Sequence, residues 1–433
     1  MKNLSLISLL SLILITGKAQ VLLPESAIEI AIKNNLGILI ANNNAEIASL
    51  SYSKGNAGMI PTIQLAANGN FSQNDTKQNL LNGTIVDRKG ANSNGVNAIA
   101  QINWTLFDGM KMFFTYKKLR AEKDLNEKVL KQETETLICN LLKEYFTLVT
   151  TKQLINSSQK ILDLKKARLE ICESKWKNGI SPKTIYLQAL VDFNEQKIKL
   201  ANLINEAEIL KVTINEYMSR SPEIKFDVID SIPISYAPSP EELKSSYKKN
   251  NLQLKIQETK VDINQNRIGE IKSQFFPKIS FGSGLNFNRN ENQAGFILLN
   301  RNVGYNAGIN ANWTLFNSGQ NKRAYKQIKI EHQNAGILFK SIELGIEARI
   351  LKLYLYLMNT KNNFDMEKEN LSIAEENSRT ALESFKSGGI SSLELKDAEQ
   401  SYESALQRII QLRMDMKSVE IELLRANGNL LKP

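Results

Sequence analysis

The sequence predicts a mostly helical protein with a membrane β-barrel part, built from two copies of one repeat. The motif Trp-Thr-Leu-Phe occurs at 104–107 and again at 313–316. Each copy ends a run in which apolar and polar residues alternate, and each precedes a helical run of about seventy residues. Long antiparallel helices of coiled-coil type, four alternating segments and a two-fold internal repeat therefore define the expected fold class.

The N-terminus is typical of a signal peptide. Lys2 provides a positive start, residues 4–15 are apolar, and small residues precede Gln20. We expect residues 1–19 to be removed, and no Cys follows the cut to carry a lipid anchor. No later segment has the roughly 18 consecutive apolar residues of a transmembrane helix. The chain is therefore expected to be exported and to meet any further membrane by another route.

Residues 24–60 are predicted to be helical, with a second segment from about Leu36. Pro61 ends this helix because proline disfavours helical backbone in the residue before it. From residue 62 apolar residues recur at every second position, a polar loop is predicted over 73–95, and alternation then resumes up to the first Trp-Thr-Leu-Phe motif. The second half repeats this pattern after Pro277, with a shorter loop.

The four strands are each predicted to be about 10–12 residues long, which suits tilted strands that span a membrane. One face is apolar and the other is mostly Asn, Gln, Ser, Thr and Gly. That is typical of a barrel with lipid outside and water inside, although a soluble hairpin with one buried face alternates in the same way. The signal peptide, the polar hairpin loops and the aromatic residues near the strand ends favour the membrane. Because a sheet in hydrocarbon must close and single-chain barrels need about eight strands, several chains must combine their strands, and three would supply twelve.

Two long helical runs, 109–178 and 318–387, contain no proline. Each ends in a tight polar turn and is followed by a returning helix, at about 182–219 and 391–427. In the last helix apolar residues recur at steps of four and three, as in a coiled-coil seam. The returning helices, together with shorter helices at about 36–60 and 251–276, equal the long ones in length, so each half is expected to form an antiparallel array.

These elements divide the chain into two repeats behind the signal peptide. The first, 20–238, comprises helices, a β-hairpin at about 62–107, a long helical hairpin at about 109–219 and a proline-rich linker at 220–238; the second, 239–433, comprises helices, a β-hairpin at about 278–316 and a long helical hairpin at about 318–427.

No catalytic constellation is visible. His332 is the one histidine, and no Cys/His cluster has the spacing of a zinc site. Cys139 and Cys172 fall in one predicted helix, roughly 50 Å apart along its axis, so they cannot pair with each other. Phosphate-loop, serine hydrolase and metalloprotease motifs are absent. We therefore expect no enzyme activity, no cofactor and no metal.

The net charge is +10, but acidic residues interleave with the basic ones along the helices. Glu122 and Asp124, for instance, stand among Lys117, Arg120 and Lys123. Charges arranged in this way indicate a solvated helix face with pairs one turn apart, and a nucleic-acid surface is not expected.

Glu394 and Asp397 are the candidate residues of a pore constriction. They lie three residues apart, on one face of the helix that follows the second turn. In a ring of identical chains they would bring several carboxylates together, an arrangement that favours cations at channel constrictions. The alternative is an ordinary solvated carboxylate pair.

Taken in order along the chain, these features resemble the outer membrane efflux protein (TolC) family. The resemblance rests on the Leu-Pro-Glu-Ser-Ala-Ile-Glu-Ile-Ala start at 23–31, Pro61 and Pro277 before the strands, both Trp-Thr-Leu-Phe motifs, and the turns at 178–181 and 388–391. It implies a homotrimer in which a twelve-stranded barrel in the outer membrane continues into a long α-helical barrel across the periplasm. Drugs, metabolites or secreted polypeptides would pass outward through it, driven by an inner-membrane transporter that a periplasmic adaptor joins to the helical tips.

The resemblance also assigns roles to residues of this chain. Adaptor contact falls on the tip turns Asn178, Gly179, Gly388 and Gly389, and the strand-to-helix junctions are Trp104, Phe107 and Gly109 with their counterparts Trp313, Phe316 and Gly319. In the family, acidic residues after the second tip narrow the closed entrance. The matching positions here are Glu394 and, across a one-residue gap, Asp397.

The chain departs from the family pattern in two places. The usual Asp-Gly-Gly after Phe is Asp-Gly-Met at 108–110 and Asn-Ser-Gly at 317–319. The first tip has Lys183 and no paired carboxylates, so only the second half would supply an acidic ring.

The alternative from another functional class is a periplasmic coiled-coil adaptor or scaffold, which would not need four alternating strands. A barrel enzyme lacks a candidate site.

Overall fold

The computed structural model describes residues 21–234 and 239–431, apart from the side chain at 244. The predicted signal peptide, 1–19, and part of the predicted linker, 235–238, lie outside the described residues. Among the described helices, none combines the length and the apolarity that crossing a bilayer requires.

The described chain forms eight α-helices and one sheet of four strands, which confirms the predicted fold class. The helices are α1 (Pro24–Asn34), α2 (Leu36–Ser51), α3 (Lys111–Lys177), α4 (Lys183–Tyr217), α5 (Pro240–Asn250), α6 (Leu252–Lys272), α7 (Gln320–Ser387) and α8 (Ser392–Ala426). The strands are β1 (Thr62–Asn79), β2 (Ile85–Phe107), β3 (Lys278–Asn292) and β4 (Leu299–Asn312). They are antiparallel and lie in the order β1-β2-β3-β4, so β1 and β4 form the two edges.

The chain divides into two compact units, each drawing on both halves of the sequence. Unit 1 comprises Met1–Ile40, Lys131–Leu252 and Leu344–Pro433, and unit 2 comprises Ala41–Leu130 and Gln253–Glu343. Unit 2 therefore contains the whole sheet, and unit 1 contains both turns between the long helices.

The predicted polar loop over 73–95 is wrong. The ladder between β1 and β2 continues through this segment, from Gln73 opposite Asn92 to Asn79 opposite Ile85, with one irregularity between Asn74 and Thr76. The strands are consequently 18 and 23 residues long. Ladder hydrogen bonds join backbone groups, so a stretch that is polar on both faces can extend a hairpin without the apolar alternation that marks a strand in sequence.

The predicted helix over 36–60 is too long, since α2 ends at Ser51. Side chains past this point supply hydrogen bonds that compete with the helix. The Asn56 amide donates to the Ser51 carbonyl at 3.0 Å, and the Ser53 hydroxyl accepts from the Asn56 backbone N–H at 3.1 Å. Gly58 then takes a positive φ of 78°, so the chain reaches Pro61 through turns.

The two β-hairpins correspond residue by residue. Pro61, Asn70 and Phe71 in the first match Pro277, Asn286 and Phe287 in the second, and the segment before Trp104 matches that before Trp313. Their pairing differs at the motif. Trp104 lies opposite Phe281, whereas β4 ends at Asn312, so the predicted extension of this strand to residue 316 is wrong. The reason is where β3 begins: its first residue, Lys278, lies opposite Asn312, so Trp313 would face Pro277, which has no backbone N–H to donate.

In unit 1 a repeated Lys-Asn-Asn-Leu segment marks two helix joints. Asn35 and Asn251 follow the last residues of α1 and α5, and each is the C-cap of its helix. The Asn35 side-chain amide donates to the Tyr217 carbonyl at the end of α4, at 2.9 Å. The Asn251 amide does the same for the Ala426 carbonyl at the end of α8, at 2.8 Å. These bonds satisfy carbonyls that a helix end leaves without a partner.

Candidate functional site

Both tryptophans of the repeated motif tie a strand end to the segment that precedes the matching hairpin proline. The Trp104 indole N–H donates to the Met59 carbonyl at 3.1 Å, and the Trp313 indole N–H donates to the Phe275 carbonyl at 3.1 Å. The two tryptophan residues remain 42% and 57% exposed. An indole with a satisfied donor and an exposed ring is typical of the boundary between lipid and water.

The two phenylalanines of the motif differ in environment. Phe107 lies in β2 opposite Ile279, whereas Phe316 follows the end of β4 and is 83% exposed. In the single chain, Phe107 is therefore half-buried within the sheet, whereas Phe316 lies exposed beyond the end of its strand.

An acidic or amide side chain after each phenylalanine begins a long helix. The Asp108 carboxylate accepts from the Met112 backbone N–H at 3.0 Å, and the Asn317 side-chain oxygen accepts from the Asn321 N–H at 3.4 Å. Both side chains take up an N–H group of the first turn, which has no partner within the helix.

The next two residues take the left-handed conformation in both copies. Gly109 and Met110 have φ of 69° and 73°, and Ser318 and Gly319 have φ of 56° and 73°. A Cβ on Gly109 would come within 2.4 Å of the Ser273 carbonyl oxygen. The backbone thus favours glycine at both positions of each pair, which is the Asp-Gly-Gly pattern, and this chain fills one position in each pair with a side chain.

The first helical turn lies between α3 and α4. Gly179 has φ of 74°, and its N–H donates to the Trp176 carbonyl at 2.9 Å. The Ile180 N–H donates to the Lys175 carbonyl at 2.8 Å, which closes the helix end. Ile180 itself is 72% exposed. Asn178 lies beside these residues on the turn.

The second turn lies between α7 and α8. Gly388 has φ of 83°, and the Gly389 N–H donates to the Ser384 carbonyl at 2.8 Å. Ser391 and Glu394 then form a capping box: the Ser391 hydroxyl accepts from the Glu394 N–H at 3.2 Å, and the Glu394 carboxylate accepts from the Ser391 N–H at 2.7 Å. Each end of the turn is therefore satisfied locally.

Apolar packing joins the four helices that carry these turns. Lys175 on α3 donates to the Phe385 carbonyl on α7 at 2.5 Å, and its ammonium lies 4.1 Å from the centre of the Phe385 ring. The buried residues of this cluster are Cys172, Ala189, Ala381, Phe385, Leu395 and Ala398. The turns are consequently fixed relative to one another within unit 1.

Both candidate constriction residues are exposed on α8. The Glu394 pKa is lowered because the Ser391 backbone N–H bonds its carboxylate, so this group is ionised and already caps the helix. The Asp397 backbone carbonyl accepts from the Ser401 hydroxyl at 2.8 Å, and its side chain is open to solvent. The constriction role and the adaptor contacts at the turns stay predictions.

A buried ion network lies next to the turns, and the sequence did not predict it. Arg168 on α3 is 1% exposed and bonds Asp192 on α4 and Glu399 on α8, the latter at 2.6 Å. The Lys396 ammonium lies 3.0 Å from the other oxygen of Asp192. Lys165 lies 3.3 Å from Glu403 on α8 and continues the network.

The two buried carboxylates respond oppositely to this environment. Burial opposes ionisation of Asp192, but hydrogen bonds from Lys396 and Gln188, together with the charge of Arg168, outweigh it and lower its pKa. Burial dominates at Glu399 and raises its pKa despite the guanidinium of Arg168. The network therefore joins α3, α4 and α8, and the ionisation of each buried carboxylate depends on the charges beside it.

Within residues 21–234 and 239–431, no group of histidine, cysteine, aspartate and glutamate side chains is arranged to hold a metal ion.

Comparison with known proteins follows the same division into halves. The model of the outer membrane efflux protein family matches residues 27–218 and 243–429. No curated protein sequence matches the chain.

Solved structures show the same fold at low sequence identity. The CmeC outer membrane channel of Campylobacter jejuni is 14% identical with a TM-score of 0.81, covering 94% of this chain and 86% of that one. The outer membrane protein VceC of Vibrio cholerae is 13% identical with a TM-score of 0.78, covering 94% and 96%. The open state of the MtrE outer membrane channel of Neisseria gonorrhoeae is 17% identical with a TM-score of 0.73, covering 94% and 89%.

Proposed function

Because the chain belongs to the outer membrane efflux protein family, we propose that three copies form the exit duct of a tripartite efflux or type I secretion system. Members of this family are transport channels and not enzymes. The protein therefore lies in the outer membrane and extends into the periplasm. It also favours the duct over a periplasmic adaptor or scaffold. Small molecules or polypeptides would pass through the duct from the periplasm, or directly from an inner-membrane pump, to the outside.

The two free sheet edges carry this proposal. β1 and β4 are 18 and 14 residues long, and each has a neighbour on one side only. Each backbone N–H or C=O left without a hydrogen bond in hydrocarbon costs roughly several kcal/mol. Within the membrane, both edges must therefore pair with another strand. Four strands are too few to close on themselves, since single-chain barrels begin at about eight. Edge-to-edge pairing of copies satisfies every strand, and three copies supply twelve strands.

An exposed apolar stripe on α7 of unit 1 supports the association of copies. Leu344, Leu351, Leu355, Met366 and Ile373 are between 56% and 69% exposed. Neighbouring members are four, seven or eleven residues apart, which is close to a whole number of helical turns, so they share one face. An apolar stripe of this length is expected to be covered by another helix, and a second copy of the chain supplies one.

The turns between the long helices are the proposed contact for a periplasmic adaptor, which would join the duct to an inner-membrane transporter. Ile180 and Leu393 are 72% and 67% exposed at or next to the two turns. Exposed apolar side chains on rigid turns suit the tip of a partner's helical hairpin. Glu394 and Asp397, just past the second turn, would line the narrow periplasmic entrance.

The internal repeat predicts the register between copies. In one chain Ile102 on β2 lies opposite Ser283 on β3. By the hairpin correspondence, Ile102 matches Ala311 on β4 and Ser283 matches Ala67 on β1. Ala311 of one copy should therefore lie opposite Ala67 of the next. Directly opposed residues place their Cβ atoms about 4.5–5.5 Å apart, within reach of a disulfide after modest adjustment.

The experiment is cross-linking in isolated outer membranes. With cysteines at Ala67 and Ala311, we expect oxidation to give a covalent ladder that ends at a trimer, while cysteines at Ala66 and Ala311 should react poorly because residue 66 points to the other face. The native cysteines, Cys139 and Cys172, are buried and stay in place. Planar-bilayer recordings of the purified assembly should show pores. Monomers in both cysteine variants, with no conductance, would contradict the proposal.

A further inference from the structure

Two arginines face each other on the second hairpin. Arg289 on β3 lies directly opposite Arg301 on β4. Like charges at opposed positions destabilise a sheet, so this arrangement has a cost that something else must offset. Glu291 pairs with Arg289 on the same strand. None of the described carboxylates pairs with Arg301, whose guanidinium lies 6.0 Å from the centre of the Phe287 ring.

This arginine row ends the apolar face of the hairpin. Below it on that face come Phe287 opposite Val303 and then Leu285 opposite Tyr305. Ile279 and Arg289 are roughly 34 Å apart along the strand, or roughly 25 Å along the membrane normal at a tilt of about 40°. The apolar band of outer-membrane barrels is about 25 Å tall, so the row falls at its outer boundary.

The hairpin does not need arginines at this height in order to fold. In the first hairpin the corresponding residues are Gln73 and Asn92, and they also lie directly opposite each other. The same backbone register therefore forms with two neutral amides. The register of the second hairpin therefore does not require the two arginines, and among the described carboxylates Arg289 has a competing partner only in Glu291.

We propose that Arg289 and Arg301 bind a phosphate group on the headgroup of a lipid in the outer leaflet, with its acyl chains along the apolar face below. The inference rests on the proposed function, because it requires the apolar face to lie against lipid. Two adjacent guanidinium groups suit a phosphate monoester, which carries up to two negative charges and three acceptor oxygens. A phosphate between the arginines also relieves their repulsion.

The turn beyond the row is consistent with a hairpin that ends close to the lipid surface. Phe296, Ile297 and Leu298 are 83%, 58% and 61% exposed. A turn that projected into water would not be expected to carry three consecutive exposed apolar side chains. The first hairpin, by contrast, continues well past this height.

The test compares lipid binding by the assembled protein in phosphatidylcholine nanodiscs that contain a minor fraction of diphosphoryl lipid A. Lipid retained by the protein would be counted by native mass spectrometry. The variant R289Q/R301N copies the residues of the first hairpin, so it should fold and still form pores. We expect its lipid A retention to fall roughly tenfold for each arginine removed, since hydrogen bonds between ionised groups are the strong ones.

Four controls sharpen the result. R88Q removes an arginine from the extended part of the first hairpin and should retain lipid A as the unaltered protein does. E291Q releases Arg289 and should retain more. Inorganic phosphate should not compete, since it lacks acyl chains, and phosphatidylglycerol should be retained less than lipid A. Equal retention by R289Q/R301N and the unaltered protein, in assemblies that conduct, would overturn this inference alone, whereas loss of pores in the unaltered protein would overturn the proposed function.

Discussion

Replacing Arg168 with Met should destabilise the region around the helical turns, because it removes the cation at the centre of the buried ion network. Arg168 contacts carboxylates on two other helices, and the side chains of Asp192 and Glu399 are only 6% and 4% exposed. Methionine fills a similar volume, so the change removes mainly the charge. Breaking a buried ion pair from one side typically costs about 3–5 kcal/mol, because the remaining charge stays buried without its partner.

The structure places the expected cost at the lower end of this range. Asp192 keeps the Lys396 ammonium at 3.0 Å, so Glu399 is the carboxylate that loses its direct partner. Glu399 can also take up a proton, and its raised pKa makes this easier. We therefore expect about 3 kcal/mol, which corresponds to roughly a hundredfold faster opening of the surrounding backbone.

Hydrogen exchange followed by mass spectrometry measures this opening locally, without requiring reversible unfolding of the whole chain. Peptides over 160–199 and 392–410 should exchange faster in R168M, and the double variant R168M/E399Q should recover most of the protection because it buries no lone charge. K177M is the matched control: Lys177 pairs with Glu173 at 2.8 Å, but its side chain is 64% exposed, so its loss should leave exchange close to that of the unaltered protein. If R168M exchanges no faster than K177M, the buried network does not hold the three helices as argued.

Three further predictions concern other parts of the chain. Burial raises the pKa of Glu135 to about 7 despite the charge of Arg425, so the free energy of unfolding falls as the pH rises from about 4.5 to about 7. The variant E135Q should therefore raise the free energy of unfolding at pH 8 by at most about 3 kcal/mol, seen as a higher thermal midpoint, and change nothing at pH 4. Met110 holds a left-handed backbone conformation, so M110G should stabilise unit 2 by about 1 kcal/mol and raise its thermal unfolding midpoint. A midpoint that stays unchanged or falls would show that contacts of the methionine side chain outweigh the strain of its backbone. At the proposed entrance, E394Q/D397N keeps the helix cap but removes both charges, and it should raise resting conductance or weaken cation preference in planar bilayers; unchanged gating and selectivity would remove both residues from the constriction.

The fold was largely predictable because its signals are local and occur twice. Alternation after Pro61 and Pro277 predicts two hairpins, and the two motif copies locate where each hairpin gives way to a helix. The extent of the strands was not predictable, since the segment 73–95 lacks an apolar face and is held by backbone pairing. The end of α2 was missed for a related reason: side-chain bonds from Ser53 and Asn56 end the helix well before the proline.

The site was predictable only where it is made of turns. Gly179 in the first helical turn and Gly388 in the second take the positive φ that such turns favour. The buried network could not be found in this way, because Arg168, Asp192 and Glu399 are far apart in sequence and each looks like an ordinary charge on a helix surface. The joints after α1 and α5 carry a signal in the sequence, since Lys-Asn-Asn-Leu at 33–36 recurs at 249–252. A four-residue polar repeat is a weaker signal than the long apolar patterns around it.

The open edges of the sheet have a consequence for how the protein is made. A newly exported chain exposes the unpaired edges of β1 and β4 before another copy is near, and such edges can form backbone hydrogen bonds with any extended peptide. We therefore expect a holding chaperone to shield β1 and β4 during transit, and we expect the yield of inserted protein to depend on the concentration of chains. Overproduction without that escort should lead to aggregates rich in intermolecular sheet.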